Sequence, residues 1–95
     1  MAKSEESAQL RREDCRREVR RYLVERQALA FPVAAIRRKL RIDGDDFDDE
    51  EIEAALHFLC DLTPPQVKKL PSEIGATQAY QATSAGVLAH ERGVR

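Results

Sequence analysis

The sequence predicts a small α+β domain, mainly helical, with a core of three helices followed by a β-hairpin and a short last helix. Three observations predict it. Apolar residues recur at helical spacing in three separate stretches before residue 62. Pro64 and Pro65 then end the helical half abruptly. Beyond them, residues 66–70 and 77–82 read as short strands on either side of a glycine-containing turn, the mark of a hairpin.

Taken in order, residues 1–6 are polar and read as a frayed terminus, leaving 7–93 as one domain. Over residues 7–30, Cys15, Val19, Tyr22, Leu23, Leu29 and Ala30, extended upstream by Leu10, fall on one helical stripe that neither Gly nor Pro interrupts. Glu13 with Arg17 and Arg21 with Glu25 stand i,i+4 on this first helix, each pair adding about 0.2–0.5 kcal/mol. Phe31-Pro32 ends it, and Pro32 suits the first position of the next helix. There Val33, Ile36 and Leu40 face inward, with Arg37, Arg38, Lys39 and Arg41 around the outside. Ile42 and Phe47 are expected to anchor the following turn to the core, with Gly44 supplying its bend.

The third helix, over residues 49–62, carries the clearest local signature. Asp48 followed by Glu51 is a capping box, and Asp49, Glu50 and Glu51 sit in a first turn where the helix dipole favours acids. Ile52, Ala55, Leu56, Leu59 and Leu62 make its apolar stripe. In the hairpin that follows, Tyr80 is the only large side chain of the second strand, and Pro71 suits only an edge or a strand end. Residues 72–76 form the turn. Residues 84–91 read as a last helix closed by Gly93, and Ser72, Thr83 and Ser84 read as turn and cap residues.

A net charge of −1 conceals strong segregation. Residues 1–42 carry an excess of six positive charges, residues 43–62 hold nine acids and no base, and residues 63–95 carry an excess of two positive charges. Such asymmetry concerns partners rather than fold. Cys15 and Cys60 each lie on an apolar helix face, which suits free thiols in a reducing compartment. No apolar run approaches the roughly 20 residues of a membrane span, and the first residues lack the apolar region of a secretory signal. A cytoplasmic setting without membrane contact is expected.

The order of elements resembles a winged helix-turn-helix domain. The resemblance covers residues 12–93. Ile36-Arg37-Arg38-Lys39-Leu40, a turn, and Ile52, Ala55, Leu56 and Leu59 resemble the helix-turn-helix core. Tyr80-Gln81-Ala82-Thr83-Ser84-Ala85-Gly86 resembles the Tyr-x-x-Thr-x-x-Gly that ends a wing and begins a final helix. The chain is also similar to small winged-helix proteins of Mu-like phages and prophages. The resemblance implies a winged helix, with a three-helix core, a hairpin wing and a short C-terminal helix. It further implies a DNA-binding role in transcription regulation and a habit of pairing first helices into dimers. In this superfamily the third helix enters the DNA major groove.

The sequence departs from that pattern at the helix itself. A groove-reading helix needs Arg, Lys, Asn or Gln at base edges and cations near phosphates. This one offers Asp49, Glu50, Glu53, His57 and Asp61, after a turn with Asp43, Asp45 and Asp46. Nucleic-acid association is therefore expected through a non-standard basic face. Its candidates are Arg12, Arg16 and Arg20 at i,i+4 spacing on the first helix, Arg37, Arg38, Lys39 and Arg41 on the second, and Lys68 and Lys69 on the wing. The same cations suit an acidic protein surface, and as a solvated face they need no partner. The alternative function is a protein-interaction module using Asp49, Glu50, Glu53, His57 and Asp61. A third arrangement sets the acidic helix of one copy against the arginines of another, as a homodimer.

No metal, cofactor or small-molecule substrate is expected. His57 and Cys60 stand i,i+3, but no Cys-x-x-Cys pair accompanies them. The acidic run counted from Asp43 as a calcium loop has Phe47 at position five, Asp48 at six and Ala54 at twelve, which fails the pattern. Neither a phosphate-binding glycine loop nor a nucleophile motif is present, so the chain reads as a non-enzyme.

Overall fold

The computed structural model describes residues 2–71 and 78–93. The chain is α+β and mainly helical: α1 (Ala2–Glu25), α2 (Val33–Ile42), α3 (Asp49–Asp61), β1 (Val67–Pro71), β2 (Gln78–Ala82) and α4 (Ser84–Glu91). β1 and β2 pair antiparallel, with Val67 opposite Ala82 and Lys69 opposite Tyr80. The turn expected at residues 72–76, with Ser72, lies outside the described residues, as does Thr77.

α1 differs from expectation at both ends. It begins at Ala2, upstream of residue 7, and stops at Glu25 rather than at residue 30. At its end the Arg26 N–H bonds the Leu23 carbonyl at 3.2 Å, while the Arg26 side chain donates from Nη1 to the Tyr22 carbonyl at 3.2 Å and lays its guanidinium over the Tyr22 ring. A tight turn follows, with the Leu29 N–H on the Arg26 carbonyl at 2.9 Å, and Leu29 points to solvent. Leu10, assigned to the apolar stripe, is exposed as well. Burial on α1 starts at Cys15, and every residue from Glu5 to Arg12 is exposed.

Phe31 does more than stop a helix. Its N–H donates to the Tyr80 carbonyl at 2.9 Å and its carbonyl accepts from the Tyr80 N–H at 2.8 Å, adding one rung beside β2. The following Pro32 biases Phe31 toward the extended conformation this pairing needs. Tyr22 meets the Phe31 ring edge-on, with centroids 5.1 Å apart. Pro32 itself is extended and caps α2 from outside, so the first helical residue is Val33.

The core lies where the three helices converge on the base of the hairpin. Val19 and Leu23 of α1, Ile36 and Leu40 of α2, and Ile52 and Leu56 of α3 are fully enclosed. Burying each aliphatic side chain of this kind contributes about 1.5–3 kcal/mol. Val67 and Tyr80 close the core from the sheet side. Phe47 anchors the α2–α3 turn as expected, and Gly44 takes φ +99° at its bend. Ile42 does not help, being 72% exposed at the last position of α2.

α4 is tied to the chain before β1 by one crowded junction. Thr83 caps α4, its hydroxyl oxygen accepting from the Gly86 N–H at 3.2 Å and donating to the Pro65 carbonyl at 2.6 Å. The Gln66 carbonyl accepts the Thr83 N–H at 3.1 Å and sits where a side chain at position 86 would go. A Cβ on Gly86 would lie 2.2 Å from that oxygen. Gly86→Ala is therefore expected to destabilise the protein by about 1–3 kcal/mol, the range for overpacking, measured as a lower urea midpoint. An unchanged midpoint would show that the Gln66 carbonyl moves aside freely.

Candidate interaction surfaces

The amino end of α3 is fixed by acids with defined partners. Asp48 accepts the Glu51 N–H at 2.8 Å, and Glu51 accepts the Asp48 N–H at 3.1 Å, completing the expected capping box. Sequence reasoning missed what Glu51 does next. Its carboxylate also takes Nε and Nη2 of Arg11, the latter at 2.9 Å, while Arg11 donates to the Asp46 carbonyl at 2.8 Å and lies 5.0 Å from the Phe47 ring centroid. The Arg11 guanidinium holds the Glu51 carboxyl below the usual carboxylate range, and the Asp48 backbone N–H acts in the same direction. Forty positions separate Arg11 from Glu51, so no local pattern announces the pair.

The outward face of α3 is acidic. Glu50, Glu53, His57 and Asp61 recur one turn apart and all are exposed, with Asp49 beside them. Arg37 reaches Asp49 at 3.3 Å. Glu50, Glu53 and Asp61 form no ion pair with a described residue, and α3 contains no basic residue in its last turn. Phe58, 41% exposed, edges this face and lies under the Arg16 guanidinium, 3.6 Å from its ring centroid.

The nine candidate cations do not form one surface. Arg20 is buried, at 2% exposure, with Nη1 on the Gln66 side-chain oxygen at 3.0 Å, so it belongs to the interior and not to a phosphate-binding face. Its bond to Gln66 places it against the connection between α3 and β1. Arg37 is engaged by Asp49, Lys39 by Asp43 at 3.3 Å, and Arg16 by Phe58. Arg12 is exposed and touches Gln9 at 2.8 Å. Arg38 and Arg41 on α2, with Lys68 and Lys69 on β1, are exposed without an ion pair to a described residue. Of the expected helix pairs, Arg21 with Glu25 forms at 2.7 Å, whereas Arg17 chooses Asp14 over Glu13. Arg21 also takes Glu18 at 3.1 Å and Asp43 at 3.5 Å, which clips the start of the acidic turn to α1.

Between α1 and α3 runs a shallow valley of about 340 Å³. Ala8, Cys15, Ala54 and Ala55 line its floor, Arg12 and Arg16 stand on the α1 side, and Glu50 stands on the α3 side. Cys15 is buried and its thiol contacts the Glu51 carbonyl at 3.5 Å. Burial pushes that thiol up to about 12, with the Glu51 carboxylate adding to the shift. Cys60 is half-buried at the sheet side of α3, and burial raises its thiol too. His57 stays exposed, and among the described residues no group of three or more His, Cys, Asp or Glu is placed to hold a metal ion. No described helix is long and apolar enough to cross a membrane. Compared with known protein families, curated proteins and solved structures, the chain matches none.

Two outcomes follow from these environments. Because the folded-state Glu51 carboxyl titrates below its unfolded value, its pairing stabilises the protein above the ordinary carboxylate range and is lost as pH falls through the folded value. Arg11→Met should therefore flatten the fall in urea midpoint between about pH 5 and pH 3, and an unchanged slope would remove Arg11 from the acid response. With a disulfide-exchange reagent near pH 8, one thiol, Cys60, should react in the native state, and Cys15 only after unfolding. Equal native rates would contradict the burial of Cys15.

Proposed function

We propose that this chain is a winged-helix-like protein-interaction module that contacts its partner through the acidic outward face of α3. The element order supports the winged-helix part, since the hairpin packs on a three-helix core and a short helix follows. One observation carries the functional part. The helix that such domains lay in a DNA groove presents Glu50, Glu53 and Asp61 to solvent, unengaged by any described cation. Phosphate neutralisation supplies most non-specific DNA affinity, so this face repels the polyanion that the fold would ordinarily meet. A cationic protein surface complements it and would be steered toward it.

A second reading, a small regulatory protein associated with nucleic acid, is favoured by a separate observation. Arg38 and Arg41 on α2 and Lys68 and Lys69 on β1 carry no described carboxylate partner, so their charge is available to phosphates. One titration separates the readings. At about 20 mM salt, a fluorescent deca-arginine peptide should bind the wild type, and Glu50→Gln with Glu53→Gln and Asp61→Asn should weaken it on the order of tenfold. A random-sequence duplex should show no saturable binding under the same conditions. Saturable duplex binding abolished by Arg38→Ala with Arg41→Ala would instead make nucleic acid the partner. Peptide binding indifferent to the α3 substitutions would remove α3 as the contact surface.

A further inference from the structure

We infer that the α1–α3 valley is the interface of a two-fold homodimer, in which the basic ridge of each copy lies on the acidic ridge of the other. The inference rests on reading α3 as a contact surface and names that surface's partner as a second copy of this chain.

The valley is self-complementary. Along one side α1 raises Arg12 and Arg16, along the other α3 raises Glu50, and exposed Ala8 and Ala54 leave the space between them shallow. Asp61 is exposed about three turns further along α3, beyond the valley's own lining. An isologous interface requires one patch that matches itself after a half-turn. A two-fold axis lying along the valley turns the second copy over and exchanges its ridges, so that plus meets minus on both sides. An axis across the valley would set arginine on arginine instead. The geometry therefore selects one orientation.

The register is fixed by contacts already made inside one copy. The Arg11 pair with Glu51 shows that these parts of α1 and α3 stand at the same height, and the Arg16 contact with Phe58 shows the same further along. An axis parallel to the valley preserves height. Arg12 of one copy thus faces Glu50 of the other, and Arg16 comes within a helical turn of Asp61. Arg12 is free for this, touching only the neutral Gln9, and Glu50 has no ion pair to a described residue. In the dimer the outward face of α3 is partly covered, which leaves no approach for a DNA groove.

Sedimentation velocity on the full chain tests this. At about 0.05 M salt the wild type should sediment at twice its 10.8 kDa mass, and at about 0.5 M salt it should shift toward the monomer. Arg12→Glu with Arg16→Glu makes both ridges acidic, and Glu50→Lys with Asp61→Lys makes both basic. Each variant alone should be monomeric, and a one-to-one mixture should restore the dimer. The mixture also guards against misfolding, since only folded chains can be rescued by the opposite swap. A wild type that stays monomeric at about 100 µM, variants that remain dimeric alone, or a mixture that fails to dimerise while the wild type does, would each overturn the inference. A monomeric wild type whose arginine-peptide binding still depends on α3 would sink the dimer and leave the interaction module standing. Loss of both would sink both.

Discussion

Glu51 is the residue that ties the start of α3 to α1, beside the aliphatic core that α1, α2 and α3 share. Its carboxylate closes the α3 capping box and receives Arg11 from α1, while its backbone carbonyl accepts the Cys15 thiol. One side chain thus satisfies an orphan donor at a helix start and pins that start to a second helix. Arg11 extends the joint to the Asp46 carbonyl, so the acidic turn, α1 and α3 are held at a common point. Neighbouring acids are sorted by the same local logic. Glu51, Asp43 and Asp49 are gripped by Arg11, Arg21, Lys39 and Arg37, and Glu50, Glu53 and Asp61 are left to solvent.

The second joint is made of backbone and excluded volume. The Gln66 carbonyl, the Thr83 hydroxyl and the absent side chain of Gly86 occupy one small space, and α4 packs on α1 and β2 because of it. Burial of Arg20 belongs to the same region, through its bond to the Gln66 side chain. An arginine that sequence spacing assigns to a surface stripe is thus used to fasten the chain between α3 and β1. The acidic and basic surfaces that remain are what these internal uses leave over.

How much was legible in the sequence depended on the range of the interaction. Short-range chemistry was readable: the Asp48–Glu51 box, the Gly44 bend and the Thr83 cap each follow from residues within a turn of one another. Tyr80, Thr83 and Gly86 of the Tyr-x-x-Thr-x-x-Gly stretch each have a structural use here, namely the Phe31 bridge, the cap and the close approach. Periodicity failed where tertiary contacts decide. Leu10, Leu29 and Ile42 fit apolar patterns yet face solvent, because no second element reaches them. Arg20 fits a polar pattern and is buried, because the connection to β1 passes over it. The candidate basic face was overdrawn for the same reason, since spacing reports which residues share a helix side and not which carboxylates another helix brings.

The aromatic residues give the chain a built-in optical division. It has no tryptophan, and Tyr22 and Tyr80 are both buried and both meet Phe31, one through its ring and one through its backbone. Tyrosine fluorescence therefore reports on the place where α1, β2 and the start of α2 come together. Far-UV ellipticity is weighted instead toward α1, whose first turns extend beyond the Arg11 joint with every described side chain from Glu5 to Leu10 in solvent. A helix end without packing has little tertiary support. The two signals thus watch different parts of the molecule, and any lag between them on heating measures how far the long helix melts from its tip before the domain opens.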